Sequence, residues 1–251
     1  MIGKTANNFA ITTDCTFLRT SNDPCLTKWK TKPNGDRGTY ATNGIAIAIV
    51  MNSSTSAGDN DLFITGAPAN FIGYYPGYSG DALLDAKHWA WITLKAHSRN
   101  NAGTVTLRSA DPRDVPAITF NYFDTGSNVN GEAVKDVQAV VEGMTHSRRI
   151  FKDVVSLSGG FTEVWPGANI TDDKLTDFVK NEAWGHHASC TCPIGADGDA
   201  MAVLDSKFKV RGVRGLRVVD ASVFPKIPGF YIAVPIYMIS EKAADVILAD
   251  V

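Results

Sequence analysis

The sequence predicts an α+β fold in which an antiparallel sheet is backed by helices. The first observation is the order of local patterns: β-type runs extend from Gly44 to Arg108, and amphipathic helical patterns start only at Glu132. The second is composition, because 44% hydrophobic and 20% charged residues in a chain of 251 is a globular balance. Strands followed by helices favour α+β over a regular alternation of the two.

The strands are predicted from apolar and β-branched runs between turn residues. Before them, the polar segment 1–37 contains several turn signals and is interpreted as irregular. Gly44–Met51 is apolar on both faces, as in a buried strand, and Asp61–Thr65 is a short second strand. Trp89–Lys95 and Thr104–Arg108 are predicted to pair as a hairpin, because a run rich in Asn and Gly separates them.

The helices are predicted from apolar residues at helical spacing. Glu132–Phe151 carries such a stripe, which consists of Val134, Val137, Val141 and Met144. Asp172–Glu182 is a second helix, and Ser240–Ala249, with Ser240 as its N-cap, is a third. Between these two helices, Leu216–Asp220 is predicted to be a further strand.

Charge and hydropathy exclude some classes of partner. The formal net charge is −2, whereas proteins that bind nucleic acid usually carry a basic excess. No apolar run approaches the roughly 18–20 residues of a membrane span, and the N-terminus lacks a signal-peptide pattern, so a cytoplasmic location is the default expectation. Four cysteines do not make a disulfide scaffold, although a single bridge between Cys15 and Cys25 stays open.

The segment from His186 to Cys192 concentrates residues that can carry chemistry. One interpretation is a metal site with His187, Cys190 and Cys192 as ligands, but structural zinc usually takes four ligands and no second Cys/His cluster exists. A second is a Cys–His nucleophile pair. A third is a loop in which both histidines only form hydrogen bonds. The residue types alone leave these alternatives open.

Longer stretches around this segment carry a family resemblance. Residues 184–251 contain WGHHASCTCPIG, then AVLDSKFKVRGVRGLRVVDASVFPKIPG, then VPIYMISEKAADVI. In order and spacing they resemble the C-terminal stretch of the glucose–methanol–choline (GMC) family of flavin oxidoreductases. HSRNNAGTVTLRSADPRDVPAITFNYF resembles a segment of the family's substrate domain. The resemblance implies a substrate-binding domain over 38–183 and a flavin-facing C-terminal segment over 184–251.

The resemblance assigns roles to individual residues. His187 takes the position of the family's general base, which accepts the substrate's hydroxyl proton as hydride leaves for FAD. His186 is expected to point elsewhere. Tyr231 stands where the family has His or Asn, and a phenol can donate a hydrogen bond but is a poor base at neutral pH. The residues expected to lie along the flavin are Asp220, Ala221, Ile232, Ala233, Val234 and Pro235.

One family motif does not occur in these 251 residues. The G-x-G-x-x-G loop that holds the FAD diphosphate is absent, so the chain is interpreted as a C-terminal half. Its expected partners are a small organic substrate and either a separate FAD-binding half or a second copy. The alternative is an FAD-free protein that acts as a non-redox cyclase, lyase or isomerase, or as a small-molecule binding protein.

Two further expectations concern packing. Trp89 and Trp91 share one face of their strand, where they could line a substrate pocket or pack in the core. In the absence of a flavin domain, apolar residues of the C-terminal segment are expected to lack a cover. They are Val218, Val223, Phe224, Ile236 and Ile239.

Overall fold

The computed structural model describes residues 1–9, 15–16, 20–32, 34–83, 85–123 and 131–250. The chain divides into two compact units, a first unit over 1–183 and a second unit over 184–251. Within the described residues, no helix is both long enough and apolar enough to span a membrane.

The first unit contains most of the regular structure. In chain order its elements are β1 (Ile2–Lys4), α1 (Pro24–Thr31), β2 (Ile47–Met51), β3 (Leu62–Ala67), α2 (Tyr78–Ala82), β4 (His88–Lys95), β5 (Thr104–Thr106), β6 (Ala117–Thr119), α3 (Glu132–Asp153), β7 (Val155–Ser156), β8 (Gly159–Gly160), β9 (Thr162–Trp165) and α4 (Leu175–Glu182). Five strands form one sheet in the order β2-β3-β4-β1-β9, and every neighbouring pair is antiparallel. The predicted α+β class with an antiparallel sheet is confirmed.

The centre of the sheet is packed tightly around one glycine. A Cβ atom on Gly66 of β3 would lie 2.6 Å from the Trp89 ring, 2.7 Å from Ile47 and 2.8 Å from the Trp91 ring. The absence of a side chain at Gly66 therefore allows both indole rings to pack against β3. Trp91 is buried in a cluster with Ile64 and Phe151, and Trp89 packs against that cluster. Both tryptophans are core residues.

The N-terminal segment differs from its prediction. Segment 1–37 was expected to be irregular, yet β1 lies inside the sheet between β4 and β9. The same segment contains α1, whose N-cap Asp23 accepts a hydrogen bond from the Leu26 amide at 3.1 Å. A disulfide joins Cys15 to Cys25, so the bridge that the sequence left open is formed. The sequence pattern does not predict β1, because a strand of three residues is too short to show a periodicity and is defined by its pairing with distant strands.

Two strand predictions were wrong, one in the burial of the strand and one in its pairing. β2 was expected to be buried on both faces, but it is an edge strand and Ile47 and Val50 are exposed. β4 does not form a hairpin with β5, because β3 and β1 occupy both of its edges. β5 pairs instead with β6, in a separate two-stranded sheet.

Helix α3 covers one face of the sheet. A Cβ on its Gly143 would approach the Thr93 methyl to 2.6 Å, so the glycine allows close contact between helix and strand. Val137 and Met144 of the predicted stripe are buried, whereas Val134 is 69% exposed. Val134 lies on the solvent-facing side of α3, since Ala133 and Asp136 beside it are buried. Helix α4 starts at Leu175, after a 3₁₀ turn over Asp172–Lys174, and packs against α3.

The second unit has one helix of regular length, α5 (Ala233–Leu248), and a 3₁₀ turn over Ala221–Val223. The predicted strand Leu216–Asp220 is not formed, and its backbone contributes one isolated bridge, between Arg217 and Lys209. Helix α5 begins well before Ser240, which lies inside it and donates its hydroxyl to the Ile236 carbonyl at 2.8 Å. The prediction of Ser240 as N-cap was wrong because the apolar residues before it continue the helix.

The second unit has a core of its own. Leu204, Phe208, Val223 and Ala243 form this buried cluster. Val223 is 1% exposed and Phe224 is 9% exposed, and Val218, Ile236 and Ile239 are half-buried, so the expectation that these five lack a cover was wrong. Other apolar side chains of this unit are exposed, among them Tyr231, Val234, Tyr237, Met238 and Leu248.

A buried ion network ties β4 to its neighbours in the first unit. The Lys95 ammonium lies 3.4 Å from the Asp61 carboxylate and 3.6 Å from the Asp136 carboxylate, and all three side chains are almost fully buried. The Asp61 carboxylate accepts bonds from the Ser53 amide and hydroxyl, both at 2.7 Å. Asp136 accepts from the Arg99 amide at 2.8 Å. One ammonium thus balances two buried carboxylates.

Replacing this ammonium is expected to destabilise the first unit strongly. Lys95→Met would leave two buried carboxylates without a counterion, which costs about 3–5 kcal/mol. The free energy of unfolding, measured by urea denaturation, tests this. Lys135→Met is the matched control, since Lys135 forms an exposed pair with Glu132 and should change stability by less than about 1 kcal/mol. Equal effects of the two substitutions would contradict the role given to the network.

Candidate active site

A short ladder of backbone hydrogen bonds connects the loop His186–Cys192, called here the histidine loop, to another segment of the second unit. The amides of Cys190, Cys192 and Ile194 donate to the carbonyls of Ala221, Ser222 and Val223 at 3.2, 2.9 and 3.0 Å. Cys190 has a φ of 68°, a left-handed conformation that is uncommon for a residue with a side chain. The loop that follows His187 is therefore fixed against the turn that follows Asp220.

The carboxylate of Asp220 forms a hydrogen bond within the chain. It accepts the Ser222 amide at 2.7 Å and so caps the 3₁₀ turn. Hydrogen bonds from the hydroxyl and the amide of Ser222 hold the pKa of Asp220 below its usual value. The Asp220 side chain is thus an ionised cap of the turn. A ligand could still bind to the backbone next to it.

The structure brings the two predicted catalytic residues together. The imidazole of His187 meets the phenol ring of Tyr231 edge to face, with ring centroids 5.9 Å apart and an interplanar angle of 71°. His187 is half-buried, while Tyr231 is 43% exposed. Tyr231 reaches this position because it lies just before α5, at the end of the segment that begins with Asp220.

The surroundings of His187 favour its neutral form. Burial lowers the pKa of His187, and the charge that His186 carries when protonated lowers it further. A neutral imidazole at pH 7 can accept a proton from a hydroxyl group. A half-buried base beside a phenol is therefore equipped for proton transfer to and from a small oxygen-containing substrate.

His186 does not point away from the site as expected. Its ring lies 4.8 Å from that of His187 at an interplanar angle of 74°. The indole of Trp184 also stacks on His186, with ring centroids 5.0 Å apart and an interplanar angle of 20°. Sequence reasoning gave Trp184 no role, although alternation along an extended loop places Trp184 and His186 on the same side.

The N-terminus of α5 offers hydrogen-bond donors to a ligand. Its N-cap residue Ile232 provides no side-chain cap, and the first turn contains Ala233, Val234 and Pro235. Val234 is 67% exposed, so this turn faces outward. Amide groups at the positive end of a helix suit the electron-rich, carbonyl-bearing edge of a ring such as that of a flavin. Together with the backbone after Asp220, these donors fit one side of such a cofactor.

The cysteines of the loop are not arranged as a metal centre. The Cys190 thiol lies 3.4 Å from the Ser189 hydroxyl, and Cys192 is a free thiol. Over the part of the chain that the structure describes, no group of three or more His, Cys, Asp or Glu side chains could hold a metal ion.

Comparison with known proteins identifies a family for this chain. A family model described as GMC oxidoreductase matches residues 99–240, which include His187 and Tyr231. The oxygen-dependent choline dehydrogenase of Vibrio vulnificus is 38% identical over 173 residues, which are 68% of this chain and 29% of the relative. The enzyme of the same name from Brucella anthropi is 38% identical over 213 residues, 84% of this chain and 36% of the relative.

A solved structure agrees with the fold. The formate oxidase of Aspergillus oryzae RIB40 superposes with a TM-score of 0.61 at 25% identity, over 80% of this chain and 33% of that one. The chain spans about a third of the length of the relatives it matches, between 29% and 36% for the two dehydrogenases.

Removing the Asp220 cap is expected to loosen the turn that carries the backbone ladder. Asp220→Ala should lower the free energy of unfolding by about 0.5–2 kcal/mol, the usual range for a lost cap, whereas Asp220→Asn keeps an acceptor and should retain most of it. Because the folded pKa of Asp220 is lowered, the difference between the aspartate and alanine proteins is complete above the unfolded pKa of about 3.9. It decreases as pH falls through the folded pKa. Urea denaturation at several pH values measures both effects, and a difference independent of pH would contradict the ionised cap.

Proposed function

The chain belongs to the GMC oxidoreductase family, and on that basis we propose that it forms the C-terminal part of an FAD-dependent enzyme that oxidises an alcohol or a related small organic substrate. The observation that carries the proposal is the half-buried imidazole of His187 against the Tyr231 phenol. Residues 38–183 would form the substrate-binding domain, and 184–251 the segment that faces the flavin. The names of the relatives, choline dehydrogenase and formate oxidase, support a small polar substrate.

Two groups of residues would hold the flavin. The amides of Ile232, Ala233 and Val234 would donate to the ring, while Pro235, which has no N–H group, would only contact it. The backbone at Asp220 and Ala221 would lie along the ring. FAD, when bound, accepts the hydride that leaves the substrate carbon. The chain's own contribution is to present donors and to position the substrate.

His187 and Tyr231 would have different roles, His187 as the base and Tyr231 as a hydrogen-bond donor. An unprotonated ring nitrogen of His187 accepts the hydroxyl proton of the substrate, a role for which its lowered pKa suits it at neutral and mildly acidic pH. Tyr231 donates its phenol hydrogen to the substrate oxygen and holds that oxygen near the imidazole. Where the family has His or Asn at this position, the phenol supplies a donor without a second base.

The chain is proposed to act together with an FAD-binding part of the protein. The phosphate-binding glycine loop is not among these 251 residues, and the chain spans about a third of its relatives. Tyr237, Met238 and Leu248 expose apolar side chains along α5. Exposed apolar patches commonly mark interaction surfaces, and the occupant proposed for this one is the FAD-binding part.

One observation favours a second candidate function. A phenol next to an imidazole is an acid–base pair that can move protons without hydride transfer. The alternative is therefore an FAD-free lyase, cyclase or isomerase that uses His187 and Tyr231, or a protein that only binds such a molecule.

Flavin content separates the two candidates. Purified together with the FAD-binding part, the chain should yield a yellow complex with visible flavin absorbance after gel filtration. The 251-residue chain alone should retain no FAD, because the loop that cradles the diphosphate is missing from it. A colourless complex would support the FAD-free alternative, and FAD retained by the chain alone would contradict the proposed division of the cofactor site.

Substitution of His187 tests the assignment of the base. In the assembled enzyme, His187→Ala should lower kcat by about 10²–10⁴, the usual contribution of general base catalysis. The matched control is His146→Ala, an imidazole in α3 of the first unit that the mechanism does not use. Tyr231→Phe should raise KM and lower kcat less than His187→Ala in the redox enzyme, but should match His187→Ala in a non-redox enzyme. Equal small effects at His187 and His146 would remove the catalytic assignment.

A further inference from the structure

We propose that His186, stacked on Trp184, is a positioning residue that fixes the orientation of the His187 ring and places a second ionisable ring directly beside it. The inference rests on the proposed role of His187 as the base. His186 would touch neither substrate nor cofactor and would act through its neighbour.

The geometric basis is a continuous row of four rings. Trp184 and His186 stack almost in parallel at 5.0 Å, and His186 meets His187 edge to face at 4.8 Å. His187 in turn meets Tyr231 edge to face at 5.9 Å. The imidazole of His187 therefore has an aromatic neighbour on two sides, and rotating it would break both contacts. The row would therefore hold the His187 ring in one orientation, while its side chain remains only partly buried.

The electrostatic basis is the unequal exposure of the two imidazoles. His186 is exposed to solvent and stacks on the Trp184 indole. His187 is half-buried, where a charge is less well solvated. Two positive charges with ring centroids 4.8 Å apart repel each other. A positive charge on His186 therefore disfavours a second positive charge on His187.

The other ionisable groups near His187 cannot replace this effect. Tyr231 faces it from the segment before α5, and its phenol carries no positive charge. The thiol of Cys190 follows on the same loop, beside the Ser189 hydroxyl. His186 is also the charged group that contributes to the lowered pKa of His187 after burial itself. An exposed residue next to the base thus helps to determine the pH range in which the base works.

The first test is an NMR titration of the imidazole signals in the 251-residue chain. His186→Phe keeps an aromatic ring between Trp184 and His187 but removes the charge, so the titration midpoint of His187 should move to higher pH. His146→Phe, a change at an imidazole of the first unit, is the matched control and should leave the midpoint of His187 where it was. An unchanged midpoint in His186→Phe, or the same displacement in both variants, would overturn the proposal.

A second variant tests the positioning role separately from the charge. Trp184→Leu keeps His186 but removes the surface on which it stacks, so the nuclear Overhauser effects between His187 and Tyr231 should weaken. In His186→Phe these effects should persist, because the phenyl ring preserves the contact. Unaltered effects in Trp184→Leu would contradict the view that the row of rings holds the base.

Activity in the assembled enzyme supplies an independent measurement. His186→Phe should reduce kcat/KM at mildly acidic pH by about threefold or more relative to its reduction at alkaline pH, because a larger fraction of His187 is then protonated. A reduction that is uniform across pH would mean a structural role only and would overturn the charge effect. If His187→Ala leaves kcat unchanged, the proposed function fails, whereas the NMR titration still decides whether His186 opposes protonation of His187.

Discussion

The candidate site depends on the backbone ladder between the histidine loop and the 3₁₀ turn after Asp220. Three amide–carbonyl bonds join Cys190, Cys192 and Ile194 to residues 221–223, and Val223 at the end of this turn belongs to the core of the second unit. Neither segment has a regular helix or strand of useful length to hold it. Because each supplies the partners that the other's backbone groups require, the two are ordered together, and His187 and Tyr231 are brought within ring contact.

The chemistry of the site follows from its partial burial. A fully exposed imidazole would titrate freely, and a fully buried one would be inaccessible to a substrate. His187 lies between these limits: its burial lowers its pKa, while its side chain is only partly buried. His186 and Trp184, which are more exposed, surround it without closing the site. The same arrangement provides both a neutral base and a fixed orientation for it.

The first unit is organised by different forces. Its sheet is antiparallel, and Gly66 allows two large indoles to pack over one strand. The pair of buried carboxylates around Lys95 links the end of β4 to the start of β3 and to α3. The three-residue strand β1 occupies a place inside the sheet because it pairs with β4 along one edge and with β9 along the other.

The sequence by itself determined the fold class, the family resemblance, and the positions of β3, β4, α3 and α4. Each of these is expressed in local periodicity or in a long ordered motif, which does not require a distant partner to be recognised. It also led to the proposal of His187 and Tyr231 as site residues, and the structure places their rings in contact. Only the tertiary structure decided that β1 lies within the sheet, that β5 pairs with β6, and that His186 lies against His187. Strand pairing and ring contacts depend on which distant segments share a surface, and hydrophobic periodicity does not encode that choice.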